Sequence, residues 1–515
     1  MNRLEQESSL GALSGAVEER ASAAERDDIV ARMWRKDHTV WKPSPAEISD
    51  RLGWLDVVDA MRDRVVDLIA FRNGVLTAGF THALLLGMGG SSLAPEVMRR
   101  VLGVGPEGID LRVLDTTHPG AIRAAERSLD LDHTLFIVAS KSGGTIETLS
   151  HLAYFWEKVG RGERFVAITD PGSPLEELAR ARGFRAVFAN PPDIGGRYSA
   201  LSLFGLVPAA LLGASFEDLL GAATEAAGAA HAPVSKGENQ AAWLGAVMGE
   251  AAARGRDKLT LVLSPEASSF GAWVEQLIAE STGKQGLGIL PVTGEDLGPA
   301  SVYGDDRLFV TLGEIGDLAD LAAAGHPIVR LDANGPLRLG REFYRWEFAT
   351  AFAGYVLGIN PFDQPNVAEA KQATGDILKE GTQSDDDRAD VAGVLNSVGA
   401  GDYVALLAFV EPSAANVRAL HRARMRIRDR FRVATTVGFG PRYLHSTGQL
   451  HKGGPDSGVF IQVTDDIPPD DLDVPGAPYT FGRLIEAQAL GDFRSLRARG
   501  RRVARATLSE LDAAL

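Results

Sequence analysis

Two loops in this chain carry the residue types needed to hold an anion. Ser140-Lys141-Ser142-Gly143-Gly144-Thr145 follows an apolar run at 135–139 and leads into a helical pattern. Gly87-Met88-Gly89-Gly90-Ser91-Ser92 repeats the plan after Leu84-Leu85-Leu86, with a helix expected over 96–101. A strand that empties into glycines and hydroxyls at a helix start presents free N–H groups, the positive end of the helix dipole and extra hydroxyl donors. Two such loops after neighbouring strands point to a phosphorylated ligand, although each hydroxyl taken singly also suits a turn or a helix cap. A dinucleotide reading of the first loop fails on spacing, because Ser92 stands where the third glycine of G-x-G-x-x-G belongs. Glu280 supplies a candidate base. Phe270, Trp273, Val274, Leu277 and Ile278 form the apolar stripe of a helix, Gln276 and Glu280 are i, i+4 neighbours on another flank, and Gly283 is a helix stop. By itself Glu280 also fits a solvated helix-end glutamate.

The elements that must position these residues read as alternating strands and helices. Strands are expected over 83–86, 111–114, 135–139 and 165–168, which with intervening helices make a doubly wound parallel sheet whose ligand sits at the carboxyl ends. The break at 191–196 precedes an apolar helical segment, 201–216, interrupted by Ser202, Gly205, Pro208 and Gly213 and so a buried helix rather than a membrane span. A polar, alanine-rich zone at 221–237 is the expected boundary to a second unit. That unit has strands over 259–263, 289–291, 308–312 and 328–331, a helix over 269–280 and a long helix over 342–357. The acidic stretch 379–390 reads as a linker or surface loop. Strands over 404–409, 435–438 and 459–463, a basic helix over 415–430 and helices over 480–490 and 493–515 complete the chain. Residues 19–34 read as an amphipathic outer helix. The expected division is therefore 1–55 helical, 56–230 and 231–385 as two α/β units, and 386–515 as an α/β extension.

Composition sets the outer limits. The 515 residues are 45% hydrophobic and 23% charged, an ordinary globular balance with room for several cores. With no cysteine, disulfides, thiol nucleophiles and cysteine metal sites are excluded, and no metal site is expected. A net charge of −15 argues against a nucleic-acid partner and leaves local groups to attract an anionic substrate. No basic start precedes an apolar core at the N-terminus, and no membrane association is expected, so a cytoplasmic location is expected.

Three further segments follow in order: Gly195-Gly196-Arg197-Tyr198-Ser199, Glu280-Ser281-Thr282-Gly283-Lys284, and Asn360-Pro361-Phe362-Asp363-Gln364 with Lys371 seven residues on. With the two anion loops, spanning 84–371, they resemble the signature set of phosphoglucose isomerases. The segment from Tyr443 to Pro455 is similar to the isomerase half of bacterial bifunctional transaldolase/phosphoglucose isomerases. The transaldolase partner is absent, since its barrel would need roughly 250 residues of eightfold pattern. Two departures stand out. Pro192 occupies a position where the family usually has a small or polar residue. The family's catalytic histidine lies between the base glutamate and the lysine, where this chain has only His326.

The resemblance implies two doubly wound sugar-isomerase (SIS-type) domains with an N-terminal helical segment and a C-terminal α/β extension. It implies reversible isomerisation of glucose 6-phosphate and fructose 6-phosphate through an enediolate. No net redox change occurs, so no cofactor is required. It assigns Glu280 as the base, Arg197 as the cation that stabilises the enediolate oxygen, Lys371 to ring opening and Gln364 to substrate contact. Phosphate falls to Gly90, Ser91, Ser140, Lys141, Ser142 and Thr145. The ring-opening histidine is placed at His451, in a Gly-rich loop beside Gln449 and Lys452, with His445 and His326 as alternatives. A homodimer is also implied. Two other functions remain open: a non-catalytic sugar-phosphate-binding regulator, which would not need Glu280, Arg197 and Lys371 together, and an isomerase that also accepts mannose 6-phosphate.

Overall fold

β-branched and leucine-rich runs, each a strand long and bounded by glycine or polar residues, form three parallel sheets. The computed structural model describes residues 8–331, 338–380, 390–465 and 472–515. The first sheet contains β1 (His82–Leu86), β2 (Asp110–Leu114), β3 (Thr134–Ala139), β4 (Phe165–Thr169) and β5 (Ala186–Ala189), in the order β2-β1-β3-β4-β5. β3 is buried along its whole length, as a central strand covered on both faces must be. The order reverses between β1 and β3, whose register sets Leu86 beside Val138. The two glycine- and hydroxyl-rich loops therefore leave the sheet side by side at its switch point, the crevice where open α/β sheets bind ligands.

The second sheet has β6 (Lys258–Leu263), β7 (Leu290–Val292), β8 (Arg307–Leu312) and β9 (Ile328–Leu331), ordered β7-β6-β8-β9. The third has β10 (Tyr403–Phe409), β11 (Ala434–Phe439), β12 (Gly458–Thr464) and β13 (Arg502–Thr507), ordered β11-β10-β12-β13. In each sheet the first strand lies between the second and third. The helices that bear on the site are α1 (Leu93–Leu102), α2 (Ile146–Val159), α3 (Leu203–Leu211), α4 (Phe270–Thr282), α5 (Leu339–Leu357), α6 (Val367–Glu380), α7 (Gly448–Gly453) and α8 (Phe481–Ala498). α3 is buried at every residue, as its apolar sequence requires. Phe481 of α8 joins the core of the first sheet with Leu84, Phe136 and Tyr154, while Tyr443 and Leu450 pack with Leu290 and Val292 of the second. The C-terminal region thus touches both earlier sheets. Among the described residues no helix is long and apolar enough to cross a membrane.

Four expectations change. The helix expected over 493–515 is interrupted: α8 runs through 490–493 to Ala498, Gly500 turns at φ +72°, and Val503, Ala504 and Ala506 are buried in β13, which pairs with β12. Burial on both faces of a paired strand outweighed the local helical pattern there. The short strand β5 was not foreseen. The N-terminal helix is two helices, Ser14–Arg26 and Ile29–Trp34, split by Asp28 at φ 56°. A helix that was not foreseen covers Phe216–Ala229.

Candidate functional site

α4 ends at Thr282, and its last turn places Glu280 in a buried position, 5% exposed, facing Arg197. Arg197 lies in a 3-10 turn, Gly196–Tyr198, and is itself 2% exposed. Burying a guanidinium requires that its donors be met. Here Nε donates to Ser281 Oγ at 2.7 Å, Nη1 to Gln364 Oε1 at 2.8 Å, and Nη2 to the carbonyls of Pro361 and Asp363 at 2.7 and 3.0 Å. Nη1 also stands 3.6 Å from Glu280 Oε1. Three sequence segments far apart in the chain thus meet on one cation. Lys284 fixes the same loop by donating to Asp363 O at 2.6 Å and Oδ1 at 2.5 Å. Burial, with the Arg197 charge adding to it, pulls the Lys284 ammonium down to about 8.

The first anion loop reaches this group through close backbone approach. A Cβ on Gly90 would fall 2.1 Å from Gly196 O, so only glycine lets the loop rest against the Arg197 turn. Gly90 and Ser91 are both buried there. In the second loop the Ser140 and Thr145 hydroxyls lie 3.0 Å apart. Thr145 occupies the N-cap position of α2 yet makes no side-chain cap bond, which leaves the first-turn amides of a 14-residue helix for a ligand. Ser142 is exposed, its Oγ accepting from Gly144 N at 3.4 Å. Lys141 is engaged elsewhere: Nζ donates to Asp170 Oδ2 at 2.5 Å and to Pro192 O at 2.8 Å. Its charge is largely spent on that carboxylate. Lys371 lies in α6, and its side chain is outside the described residues.

The histidines sort by location. His326 precedes β9 at the amino end of the second sheet, away from the carboxyl ends, with its ring edge-on to Phe309 and Tyr303. His451 also fails to reach Glu280 and Arg197. Its ring is buried among Phe460, Tyr403 and Tyr443, and neither ring nitrogen has a hydrogen-bond partner. Burial, then the Lys452 and Arg501 charges, hold it well below the ordinary histidine range. A ring so placed is core. His445 is at the site. Its Nε2 lies 3.0 Å from Glu147 Oε1, in the first turn of α2, and its backbone packs on Gly89, where a Cβ would sit 2.9 Å from His445 O. Gln276 Nε2 donates to both His445 O (2.8 Å) and Glu280 Oε2 (3.1 Å), which ties the histidine segment to the base. Gln449 anchors the same segment by donating to Gly283 O and Asn366 Oδ1.

Among relatives, the glucose-6-phosphate isomerase of Thermosynechococcus vestitus is 30% identical over 379 residues, covering 62% of this chain and 71% of that protein. The chain belongs to the phosphoglucose isomerase family. The family's own model, described as phosphoglucose isomerase, matches residues 52–288, which include both anion loops, Arg197 and Glu280. A glucose-6-phosphate isomerase of Thermus thermophilus is 29% identical, with 64% of this chain and 90% of the relative covered. A hypothetical protein, TT0462, from the same species superposes with a TM-score of 0.60 at 26% identity, over 73% of this chain and all of that one. The glucose-6-phosphate isomerase of Chlamydia trachomatis shares the fold with the same TM-score at 20% identity, over 73% of this chain and 90% of that one.

Within this phosphoglucose isomerase family site, two residues had no assigned role from sequence. Glu147 stands two positions after Thr145, where an acidic residue in a helix's first turn reads as a favourable dipole partner. Gln488, in the middle of α8, carried no local signal; only the packing of the C-terminal region brings it near.

Proposed function

We propose that this chain interconverts glucose 6-phosphate and fructose 6-phosphate, with Glu280 as the base and Arg197 as the fixed cation. The observation that carries the assignment is their approach: a buried carboxylate 3.6 Å from a buried guanidinium whose remaining donors are held by carbonyls and side chains. Glu280 takes the proton from C2 of the open-chain aldose and returns it to C1. The negative charge that grows on the enediolate oxygen meets a cation that needs no reorganisation. The phosphate is taken by Gly90, Ser91, Ser140, Thr145 and the amides that open α2, with Ser142 at the rim and Gln364 beside the sugar. His445 takes the ring-opening role in place of His451. As the C1–O5 bond breaks, it donates a proton to the ring oxygen, and Lys371 accepts the C1 hydroxyl proton as the carbonyl forms. Lys371 keeps the accompanying role that the family resemblance gives it.

A regulator would bind the anion without needing Glu280 and Arg197 buried face to face, so catalysis is favoured. The test is a coupled assay of the purified protein with fructose 6-phosphate, run beside mannose 6-phosphate, with and without a chelator. Turnover of fructose 6-phosphate to glucose 6-phosphate is expected, undiminished by the chelator. Absence of turnover by folded protein overturns the assignment. Turnover of mannose 6-phosphate at a comparable rate would widen it. The resemblance also supports association as a homodimer, which sedimentation velocity tests, and a division near residues 55, 230 and 385, which limited proteolysis tests.

A further inference from the structure

We infer that Gln488 and Thr117 are positioning residues that hold Glu147 in register with His445. The inference rests on His445 as the ring opener. Thr117 Oγ1 donates to Gln488 Oε1 at 2.7 Å, and this fixes which end of the amide faces Glu147. Gln488 Nε2 then donates to Glu147 Oε1 at 2.8 Å, the same oxygen that meets His445 Nε2 at 3.0 Å. One carboxylate oxygen accepting twice demands a proton on His445 Nε2, so the proton that His445 gives to the ring oxygen must leave from Nδ1. Thr117, Gln488 and Glu147 are all buried, whereas His445 is partly exposed.

The chain of bonds joins three parts of the fold: the loop after β2, the first turn of α2 and the middle of α8. Without Gln488, Glu147 loses a neutral donor in a place that water does not reach. The carboxylate must then turn toward another donor or share the histidine proton. His151, one turn along α2, interacts with the Glu147 charge and sets its Nε2 3.0 Å from Thr116 O, while His118, beside Thr117, pairs with Asp465 at 2.9 Å. Neither touches the oxygen that Gln488 holds. Gln488 is buried and its amide is engaged by Thr117 and Glu147, so its effect passes through Glu147 and His445.

Ring opening can be read apart from proton transfer as exchange between the α and β anomers of glucose 6-phosphate, followed by magnetisation-transfer NMR. The full-length Glu280→Gln protein serves as parent, since it cannot isomerise. Adding Gln488→Leu should slow catalysed anomer exchange about ten-fold or more, with the dissociation constant of glucose 6-phosphate within about two-fold. Adding Gln488→Glu should preserve exchange at low pH, where the new carboxyl is protonated and donates, and lose it as pH rises and two carboxylates face each other. Thr117→Val, which frees the amide to turn over, should give a smaller slowing. Exchange unchanged in folded Gln488→Leu, or a Gln488→Glu profile that matches the parent, overturns the inference while leaving His445 in place. Should Gln488→Leu fail to fold, the Gln488→Glu profile decides alone. Exchange already absent in the Glu280→Gln parent overturns both this inference and the role of His445.

Discussion

Arg197 Nη1 lies 3.6 Å from Glu280 Oε1, near enough for strong attraction but beyond a hydrogen bond, while the same nitrogen donates to Gln364 at 2.8 Å. The guanidinium is therefore placed to steady the carboxylate without occupying the lone pair that the proposed proton transfer uses. Arg197→Lys should separate these duties. A lysine has no planar fork to serve Ser281, Pro361, Asp363 and Gln364 together. The expected loss in kcat is about 10²–10³-fold, the range for one preorganised donor. Steady-state kinetics check it, and a kcat within a few-fold of the parent would show that the cation is structural.

Glu280→Gln keeps size and polarity but cannot accept the proton. The expected fall in kcat is about 10²–10⁴-fold or more, with sugar-phosphate affinity retained. Solvent deuterium incorporation at C1 and C2 gives the cleaner readout, and continued incorporation at the parent rate would remove Glu280 from the mechanism.

Exchange of the two C-terminal histidines should have opposite outcomes. His445→Ala should slow turnover of the closed-ring sugar while the protein stays folded. His451→Phe replaces a buried, unpartnered ring with an apolar one of similar shape, so kcat should hold and the melting temperature should stay level or rise. If instead His451→Phe abolishes turnover and His445→Ala does not, the assignment is reversed.

The double variant Ser140→Ala, Thr145→Val should act mainly on KM, because phosphate contacts persist from ground state to transition state. Each lost bond to a charged group is worth about 1.5–3 kcal/mol. An unchanged KM would move the phosphate away from the start of α2.

Stability should decline in acid partly through His151. Full burial, the dominant cause, lowers its pKa from 6.5 to about 4. Between those values the unfolded chain binds a proton that the folded chain refuses, so stability falls as pH drops through that window and is intact above it. Urea midpoints at pH 7 and pH 4.5 measure the decline, and His151→Gln should reduce it. An equal decline in parent and variant would mean that groups other than His151 set it.

The two anion loops were legible in the sequence because a strand-to-helix turn confines its chemistry to a few consecutive residues. Glu280 and Arg197 were singled out through their place in an ordered set of motifs, since the helical stripe beside Glu280 fitted a solvated helix end equally well. His451 misled for a physical reason. It shares a polar, glycine-rich segment with His445, but Leu450 and His451 turn inward to fill the core around Tyr443 and Phe460, which no local pattern announces. β13 was hidden by arginines and alanines that suit a helix, and only its pairing with β12 shows it. Gln488 is 371 positions from Thr117, so no window along the chain could have joined them.

That long reach has a consequence for how the molecule comes into being. A ribosome delivers both anion loops, Arg197, Glu280 and Gln364 well before it delivers His445 and Gln488. At about 5–20 residues per second, residues 365–488 take roughly 6–25 s to emerge. On the proposed assignment, a nascent chain in that interval has the groups for a sugar phosphate and for the C1–C2 proton, but not the histidine for the closed ring. On that assignment the last sheet to be made completes the site for the abundant cyclic form of the sugar, so competence toward it would arrive as a late event of assembly.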